Sequence, residues 1–228
     1  MTVTGSEGPR KRAYSSPIRE AEAAERRNRI RACAARLFVR KGYVATSMRD
    51  IAADAGVSER TVFNAFPTKA ALLSDCIRVA VRGDAAAAPM LARERWRAIF
   101  EAAPEGMIGL FADAVADLYS RAAPLLAVGE AAASADPLLA HERDRGHAAT
   151  LADLREIASA MKRRGALRPG VSAERAAEIM YALAANESVY LRLVAECEWS
   201  PFAYARALER AILGAIGSAN HAHRADAD

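Results

Sequence analysis

The stretch Thr46-Ser-Met-Arg-Asp-Ile-Ala-Ala-Asp-Ala-Gly-Val-Ser-Glu-Arg-Thr-Val-Phe-Asn-Ala-Phe66 decides how this 228-residue chain is read. Ser47 followed three residues later by Asp50 is a helix-start signal, a hydroxyl that caps free amides with a carboxylate that answers it. Ile51, Ala52 and Ala55 then share one small apolar face. Gly56 suits the left-handed conformation that ends a helix, because it lacks the Cβ that clashes there. Val57 turns inward, Ser58 caps a second helix, and Val62 and Phe66, four apart, set a second apolar face against the first. The pattern predicts a helix-turn-helix whose second helix has the size that enters a DNA major groove. Any αα-hairpin is the plainer alternative, but caps, turn glycine and spacing all agree on the former.

Charge supports that reading. The whole chain is only +4, but residues 1–69 hold 14 Lys and Arg against 7 Asp and Glu, while residues 70–228 hold 18 against 21. A basic head on a nearly neutral body is what a phosphate-binding module joined to a sensing part should show, although solvated arginine faces would give the same count. Alanine, leucine, arginine and glutamate dominate and aromatics are sparse at 6%, which favours an all-α protein. No apolar run reaches the length of a membrane span and the first thirty residues lack a hydrophobic signal core, so the protein is expected in the cytoplasm with no membrane partner. Cys33, Cys76 and Cys197 are far apart and odd in number, so three reduced, largely buried thiols are expected. Asn186-Glu-Ser188 matches a glycosylation sequon, which without secretion is read as chance.

Periodicity and breakers divide the rest. Residues 1–19 read as a disordered tail with a basic cluster at Arg10, Lys11 and Arg12, and 20–67 as the helix-turn-helix domain. Residues 68–217 read as a larger helical effector-binding and dimerisation domain, and 218–228 as a loose tail. The first helix is expected over 20–41 with Ile30, Ala34, Leu37 and Phe38 inside and Gly42 at its end. A helix capped by Thr68 joins head to body. Further helices are expected around 91–100, from 104–106 to about 133 through Pro124, from Asp136-Pro137 to about 164, from Ser172 with a break near Asn186, and from Ser200-Pro201 to near Gly217. No strand and no repeat is expected.

The segment from Arg26 to Leu73 resembles the DNA-binding domain of the TetR family of bacterial transcriptional regulators. The residues that carry the resemblance are Ala35-Arg-Leu-Phe38, Lys41-Gly-Tyr43, Thr46-Ser47, Arg49-Asp-Ile-Ala52, Ala55-Gly-Val-Ser58, Thr61-Val-Phe63, Phe66 and Lys69-Ala-Ala-Leu-Leu73. Beyond this segment the chain resembles the family in being helical, and the strings at 123–128, 165–170 and 199–201 look like one actinobacterial-type subgroup. The resemblance implies a sequence-specific regulator, a repressor released by a small-molecule effector, acting as a homodimer on a pseudo-palindromic double-stranded operator. By position in the motif, Glu59, Arg60, Thr61 and Asn64 would face the groove. Arg60 can grip guanine with two hydrogen bonds, Asn64 can pair with adenine, and Glu59 can accept from cytosine. Ser47, Ser58, Arg49 and Lys69 would hold phosphates from helix starts. Two positions depart from the family pattern: Phe63 stands where tyrosine is usual and Ala65 where histidine or tyrosine is usual. Two groups that typically bind phosphate are thereby missing, for which Arg60 or the arginines of the first helix can compensate.

In such regulators the larger part dimerises and senses. On the last helix Phe202, Ala205, Leu208, Ile212, Ala215 and Ile216 recur at helical spacing. The helix before it, with Met180, is apolar around most of its girth and so needs more than one partner. A dimer interface of Met180, Phe202, Ala205, Leu208, Ile212 and Ile216 is expected, against the alternative that all pack within one subunit. Met107, Phe111, Leu118, Tyr119, Met161, Tyr181 and Tyr190 could line an effector cavity or be plain core. Asn186 and Glu187 need polar partners in an apolar helix, and could face a ligand or simply break or cap the helix. The helix from Thr68 to about Gly83 belongs to both parts and would act as a lever.

The remaining chemistry is thin. His141 and His147 lie six apart, which turns them onto different faces of a helix, unlike the i, i+4 pair of a zinc protease. His221 and His223 fall in the tail. No glycine-rich phosphate loop and no nucleophile–base pair is found, so no catalytic residue, metal or cofactor is expected. A helix-turn-helix used only for protein contact, or a helical enzyme with a vestigial head, are the alternatives that DNA-binding and turnover assays would separate.

Overall fold

The computed structural model describes residues 17–218. Among them the regular elements are all helical: α1 (Pro17–Ala45), α2 (Met48–Ala55), α3 (Glu59–Ala65), α4 (Lys69–Arg82), α5 (Glu94–Glu101), α6 (Met107–Ala133), α7 (Pro137–Arg164), α8 (Ala173–Ala184), α9 (Glu187–Leu191) and α10 (Pro201–Ile216). Single 3₁₀ turns precede α5 and α6, and a π-helix over Arg192–Glu196 extends α9. An isolated bridge between Leu167 and Gly217 ties the 165–170 loop to the end of α10. The basic cluster at Arg10–Arg12 and the histidines His221 and His223 lie outside the described residues.

Sequence signals place most boundaries. α1 starts at Pro17, three residues before the expected Glu20, and Gly42 breaks it with φ 78° and ψ 171°. Hydroxyl or carboxylate caps hold the starts of α2, α3, α4, α7, α8 and α10, from Ser47, Ser58, Thr68, Asp136, Ser172 and Ser200. Each such cap is worth on the order of 1 kcal/mol. Asn186 does cap α9, its side chain accepting from Val189 N–H at 3.2 Å. Ser218 belongs to the fold, since its N–H donates to the Ala166 carbonyl at 3.1 Å.

Two apolar cores form. The head core gathers Ile30, Leu37 and Phe38 of α1, Ile51 of α2, Val62 of α3, Phe66, and Leu72 and Leu73 of α4. It also takes in Leu125 and Ala132 of α6 and Leu139 of α7. The break at residues 67–68 is therefore a change of element and not of packing. The body core is built on α6, which packs against α10, α4, α7 and α9 and continues through Pro124. At Gly129 the absent Cβ admits α4: one built there would stand 2.6 Å from Ile77 Cδ1.

Burial bears on two expectations about the body. Met180, Ala205, Leu208, Ile212 and Ile216 all lie in the subunit's own core, at 0–6% exposure; of the six residues assigned to a dimer interface only Phe202 is exposed, at 70%. The apolar stripe of α10 packs against α6 and α8, and that of α8 against α7 and α10, so these residues are already occupied within the subunit. Met107, Phe111 and Met161 are likewise fully buried packing residues, and Tyr119 and Tyr190 are buried. Tyr181 is half-buried beside the His147 ring, with centroids 6.5 Å apart. Asn186 is an exposed cap and Glu187 sits in the first turn of α9. Cys33 and Cys76 are buried, but Cys197 is exposed in the turn before α10, against the expectation of three buried thiols. No helix among the described residues is long and apolar enough to cross a membrane.

Candidate nucleic-acid interface

The reading unit is built from its turn outward. Ser47 and Asp50 form a full capping box: Asp50 N–H donates to Ser47 Oγ at 3.0 Å, and Ser47 N–H donates to Asp50 Oδ2 at 3.3 Å. The bonds from Ser47 hold the Asp50 carboxyl below the usual carboxylate range. α2 ends at Gly56, left-handed at φ 64°, whose N–H reaches the Ala52 and Ala53 carbonyls. Val57 N–H closes the motif on Ala52 at 3.0 Å. Ser58 caps α3 through Thr61 N–H at 3.2 Å, and the Ser58 and Thr61 hydroxyls pair at 2.8 Å. With Val62 fully buried, Glu59, Arg60, Phe63 and Asn64 share the outward side of α3, all exposed. Ser47 and Arg49 are exposed at the start of α2. Of the expected DNA-binding residues, then, all but Lys69 lie on or beside this surface.

Lys69 departs from the set. Its Nζ donates to the carbonyls of Tyr43 at 2.8 Å and Thr46 at 2.9 Å, stands 3.5 Å from that of Val44, and lies 4.3 Å from the Tyr43 ring centroid. An ammonium has three donors and no more. Those of Lys69 stitch the turn after α1 to the start of α4, so the geometry supports a structural role and not a phosphate contact.

Three of the seven arginines of α1, Arg27, Arg31 and Arg36, are also committed. Arg31 Nε donates to Asp75 Oδ2 at 2.7 Å in a pair whose side chains are 11% and 9% exposed. Arg78 also pairs with Asp75, and Arg27 lies 3.6 Å from it. Burial pushes the Asp75 carboxyl up, but hydrogen bonds and charge from Arg31 and Arg78 outweigh that and leave it below the usual carboxylate value. Arg27 also stacks 3.9 Å over the Phe66 ring and donates to the Ala65 carbonyl, covering the negative end of α3. Arg36 pairs with Asp54 at 2.9 Å and Lys41 lies 3.7 Å from Asp50. Among the described residues neither Arg49 nor Arg60 has an ion pair or a side-chain hydrogen bond. The basic head thus uses part of its charge to tie α1 to α2, α3 and α4 and leaves Arg49 and Arg60 uncommitted on the reading surface.

Sequence reasoning passed over Asp75, and the signal was present. Arg31 sits beside the apolar stripe of α1, and Asp75 sits beside Leu72 and Cys76 on α4. Opposite charges that border two facing stripes are candidates for a buried pair. Reasoning also missed Tyr43, whose hydroxyl donates to Asp136 Oδ2 at 2.7 Å across 93 residues and joins the head to the cap of α7. That bond is the main cause of an Asp136 carboxyl below its ordinary value.

Residues 30–76 match the profile of the family described as bacterial regulatory proteins, tetR family. No curated protein matches the sequence. Among solved structures the fold is similar to a putative TetR-family transcriptional regulator from Mesorhizobium loti at 23% identity, covering 86% of this chain and 98% of that one with a TM-score of 0.64. It is similar to NalD of Pseudomonas aeruginosa, the secondary repressor of the MexAB-OprM multidrug efflux pump, at 18% identity, 86% and 98% coverage and a TM-score of 0.61. It is also similar to a putative transcriptional regulator from Saccharomonospora viridis in complex with choline, at 17% identity, 85% and 98% coverage and a TM-score of 0.63. At these identities the likeness is one of fold.

Proposed function

We propose that this chain, whose residues 30–76 match the tetR family profile, is a homodimeric, sequence-specific DNA-binding repressor whose body releases the head from DNA on binding a small effector. The observation that carries the reading is the outward side of α3. Glu59, Arg60, Phe63 and Asn64 are exposed together on a helix whose back, cap and far end are all pinned. Side chains held this way can read base edges without first being ordered. Arg60 and Asn64 supply the base-specific donors, and Arg49 and the Ser47 and Ser58 caps supply phosphate contacts.

The dimer face is assigned to the outer side of α10. Opposite its buried stripe lie Ala203, Ala207, Arg210 and Gly214, small residues but for one arginine, flanked by the exposed Phe202. Small side chains allow two helices to approach closely, and a two-fold axis through this face would repeat each contact. Two heads reading one face of a duplex sit one helical turn apart, on the order of 34–36 Å.

Control of the head runs through shared packing. α4, α6 and the start of α7 all enter the head core, Tyr43 is bonded to Asp136, and Ile77 is seated against Gly129. An effector that favours one arrangement of the body would tilt these elements and separate the heads. By linkage, effector and operator weaken each other by the same factor. The test is selection of duplexes from a random library followed by anisotropy titration. We expect enrichment of a two-fold symmetric site and loss of preference at one base pair per half-site in Arg60→Ala, at a cost of about 1–3 kcal/mol. A library that yields no enriched sequence would end the DNA-binding reading.

A further inference from the structure

Where α4 ends, the fold gathers arginines that a DNA-reading head does not use. Arg82 closes α4, Arg93 and Arg95 flank the start of α5, and Arg121 reaches across from α6. With Trp96 they line an open cleft of about 250 Å³. Two carboxylates share it. Asp84 accepts two bonds from Arg93, at 2.6 and 3.0 Å, and Asp117 pairs with Arg121 and lies 3.4 Å from Arg95. Four guanidinium groups against two carboxylates leave an excess of two positive charges. Arg82 has no ion pair or side-chain hydrogen bond among the described residues. The Arg93 side chain is 14% exposed, and its Nη2 also donates to the Ala86 carbonyl at 3.3 Å, so Arg93 is fixed at the edge of the cleft. Guanidinium groups are the side chains best shaped to take an oxyanion by two parallel bonds. Trp96 supplies a different surface. It is half-buried, packs edge-on against Phe111 of the body core at 6.2 Å and 71°, and also borders the cleft.

We propose that this cleft binds a small organic oxyanion, a carboxylate or phosphate carrying a flat apolar group. Arg82 and Arg121 take the charge, Arg93 frames the cleft beside Asp84, and Trp96 takes the flat group. Asp84 and Asp117 hold the arginines in place without neutralising them. The site also bears on α4. Arg121 Nε stands 3.4 Å from the Ala80 carbonyl, and its guanidinium covers Gly83, the left-handed residue that ends the helix. An anion drawn between Arg82 and Arg121 fixes the last turn of α4 to α6. The same helix carries Leu72 and Leu73 in the head core. That the bound anion acts as an effector rests on the regulator reading; that it binds does not.

Trp199→Phe leaves Trp96 as the one tryptophan of the full-length chain, which has two. Titration with phenyl phosphate should change its fluorescence saturably. Inorganic phosphate should bind at least about tenfold more weakly for want of the aromatic contact, and choline should give no response. Arg82→Ala, which breaks no hydrogen bond within the described fold, and Arg121→Ala should each weaken phenyl phosphate binding about tenfold or more with helical circular dichroism unchanged. If Arg121→Ala unfolds, Arg82→Ala alone decides. No saturable response, equal affinity in Arg82→Ala, or choline binding as tightly as phenyl phosphate would each overturn the site. Saturating phenyl phosphate should also shift the affinity for a library-selected duplex, and an unchanged affinity overturns the link from cleft to head. A protein that selects no duplex removes the regulator reading, while the fluorescence titration still decides the cleft.

Discussion

Head and body are both closed helical cores, yet among the described residues three of the four buried side-chain polar atoms without a partner lie in the body. In the head, Arg31 is matched by Asp75, and the Thr46 hydroxyl stands 2.7 Å from the Gly42 carbonyl and 3.3 Å from that of Leu37. Lys69 spends its donors on the turn after α1. In the body, Tyr204 Oη, Arg206 Nε and Arg93 Nε are buried without partners, as is Ser74 Oγ on the connecting helix. A satisfied polar network holds one geometry, whereas unmet donors leave a region with alternatives of similar energy. The difference suits a rigid reader attached to a body that can be biased.

The largest expected effect tests where the body's apolar stripe faces. Ile212→Arg puts an unpaired cation into a site with 0% exposure, at a cost of several kcal/mol. We expect loss of helical signal and of the unfolding transition, not a folded monomer. Ala207→Arg, on the outer side of α10, should keep the helical signal and give monomers in light scattering. A folded, monomeric Ile212→Arg would return that stripe to the interface.

Next comes the head's buried pair. Asp75→Ala strands Arg31, at a cost of about 3–5 kcal/mol, enough to unfold a head of this size. The carboxyl also sets an acid limit. Its folded pKa lies below the ordinary value, so its stabilisation is complete above the unfolded value near pH 4 and is lost as pH falls through the folded one. Urea midpoints measured from pH 7 down to pH 2 should fall steeply at the acid end in wild type. Asp75→Asn should start lower and show less of that fall; an identical acid loss in the variant would assign it to other carboxylates.

How legible each region was follows from the same contrast. The helix-turn-helix was readable because its determinants are local: Ser47 and Asp50, Gly56, and Ser58 with Thr61 act within three residues of one another. The match of residues 30–76 to the tetR profile agrees with that reading. The outer face of α10 was not readable, because Leu208 and Ala207 differ in environment only through what α6 and α8 cover. Periodicity marks a stripe without naming its partner. Lys69 stands apart for a related reason. Its position in the motif says that a cation stands there, but the carbonyls of Tyr43 and Thr46 that claim it come from a turn more than twenty residues away. The Tyr43–Asp136 bond, 93 residues apart, leaves no local trace at all.

Lys69 gives a finer test of the head. Lys69→Ala removes charged hydrogen bonds worth about 1.5–3 kcal/mol in total and should lower the melting temperature. The slope of log affinity against log salt should stay at the wild-type value. Arg49→Ala should do the reverse, leaving the melt unchanged and reducing the slope by roughly 0.9, because one phosphate is no longer neutralised. A slope reduced in Lys69→Ala at unchanged stability would restore Lys69 to the DNA-binding surface.

The smallest effect is expected inside the body's tyrosine cluster, where ring centroids lie 5.5 Å apart for Tyr119 and Tyr190 and 4.9 Å for Tyr190 and Tyr204. Tyr119 Oη donates to the Ala184 carbonyl at 2.7 Å, just before the chain breaks at Asn186. Tyr204 Oη is buried with no partner, and burial pushes its phenol up to about 12. The two rings therefore differ in what their hydroxyls contribute. Tyr119→Phe loses a buried bond and leaves a carbonyl unmet, so about 1 kcal/mol of stability should go. Tyr204→Phe removes a group whose desolvation nothing offsets, so the change should be neutral or slightly stabilising. The body would then tolerate the loss of one buried polar group and suffer from the loss of its neighbour, whereas every partnered group tested in the head should cost stability. A Tyr204→Phe variant destabilised as much as Tyr119→Phe would show that the hydroxyl has a partner in solution, and the contrast between a satisfied head and an unsatisfied body would lose one of its supports.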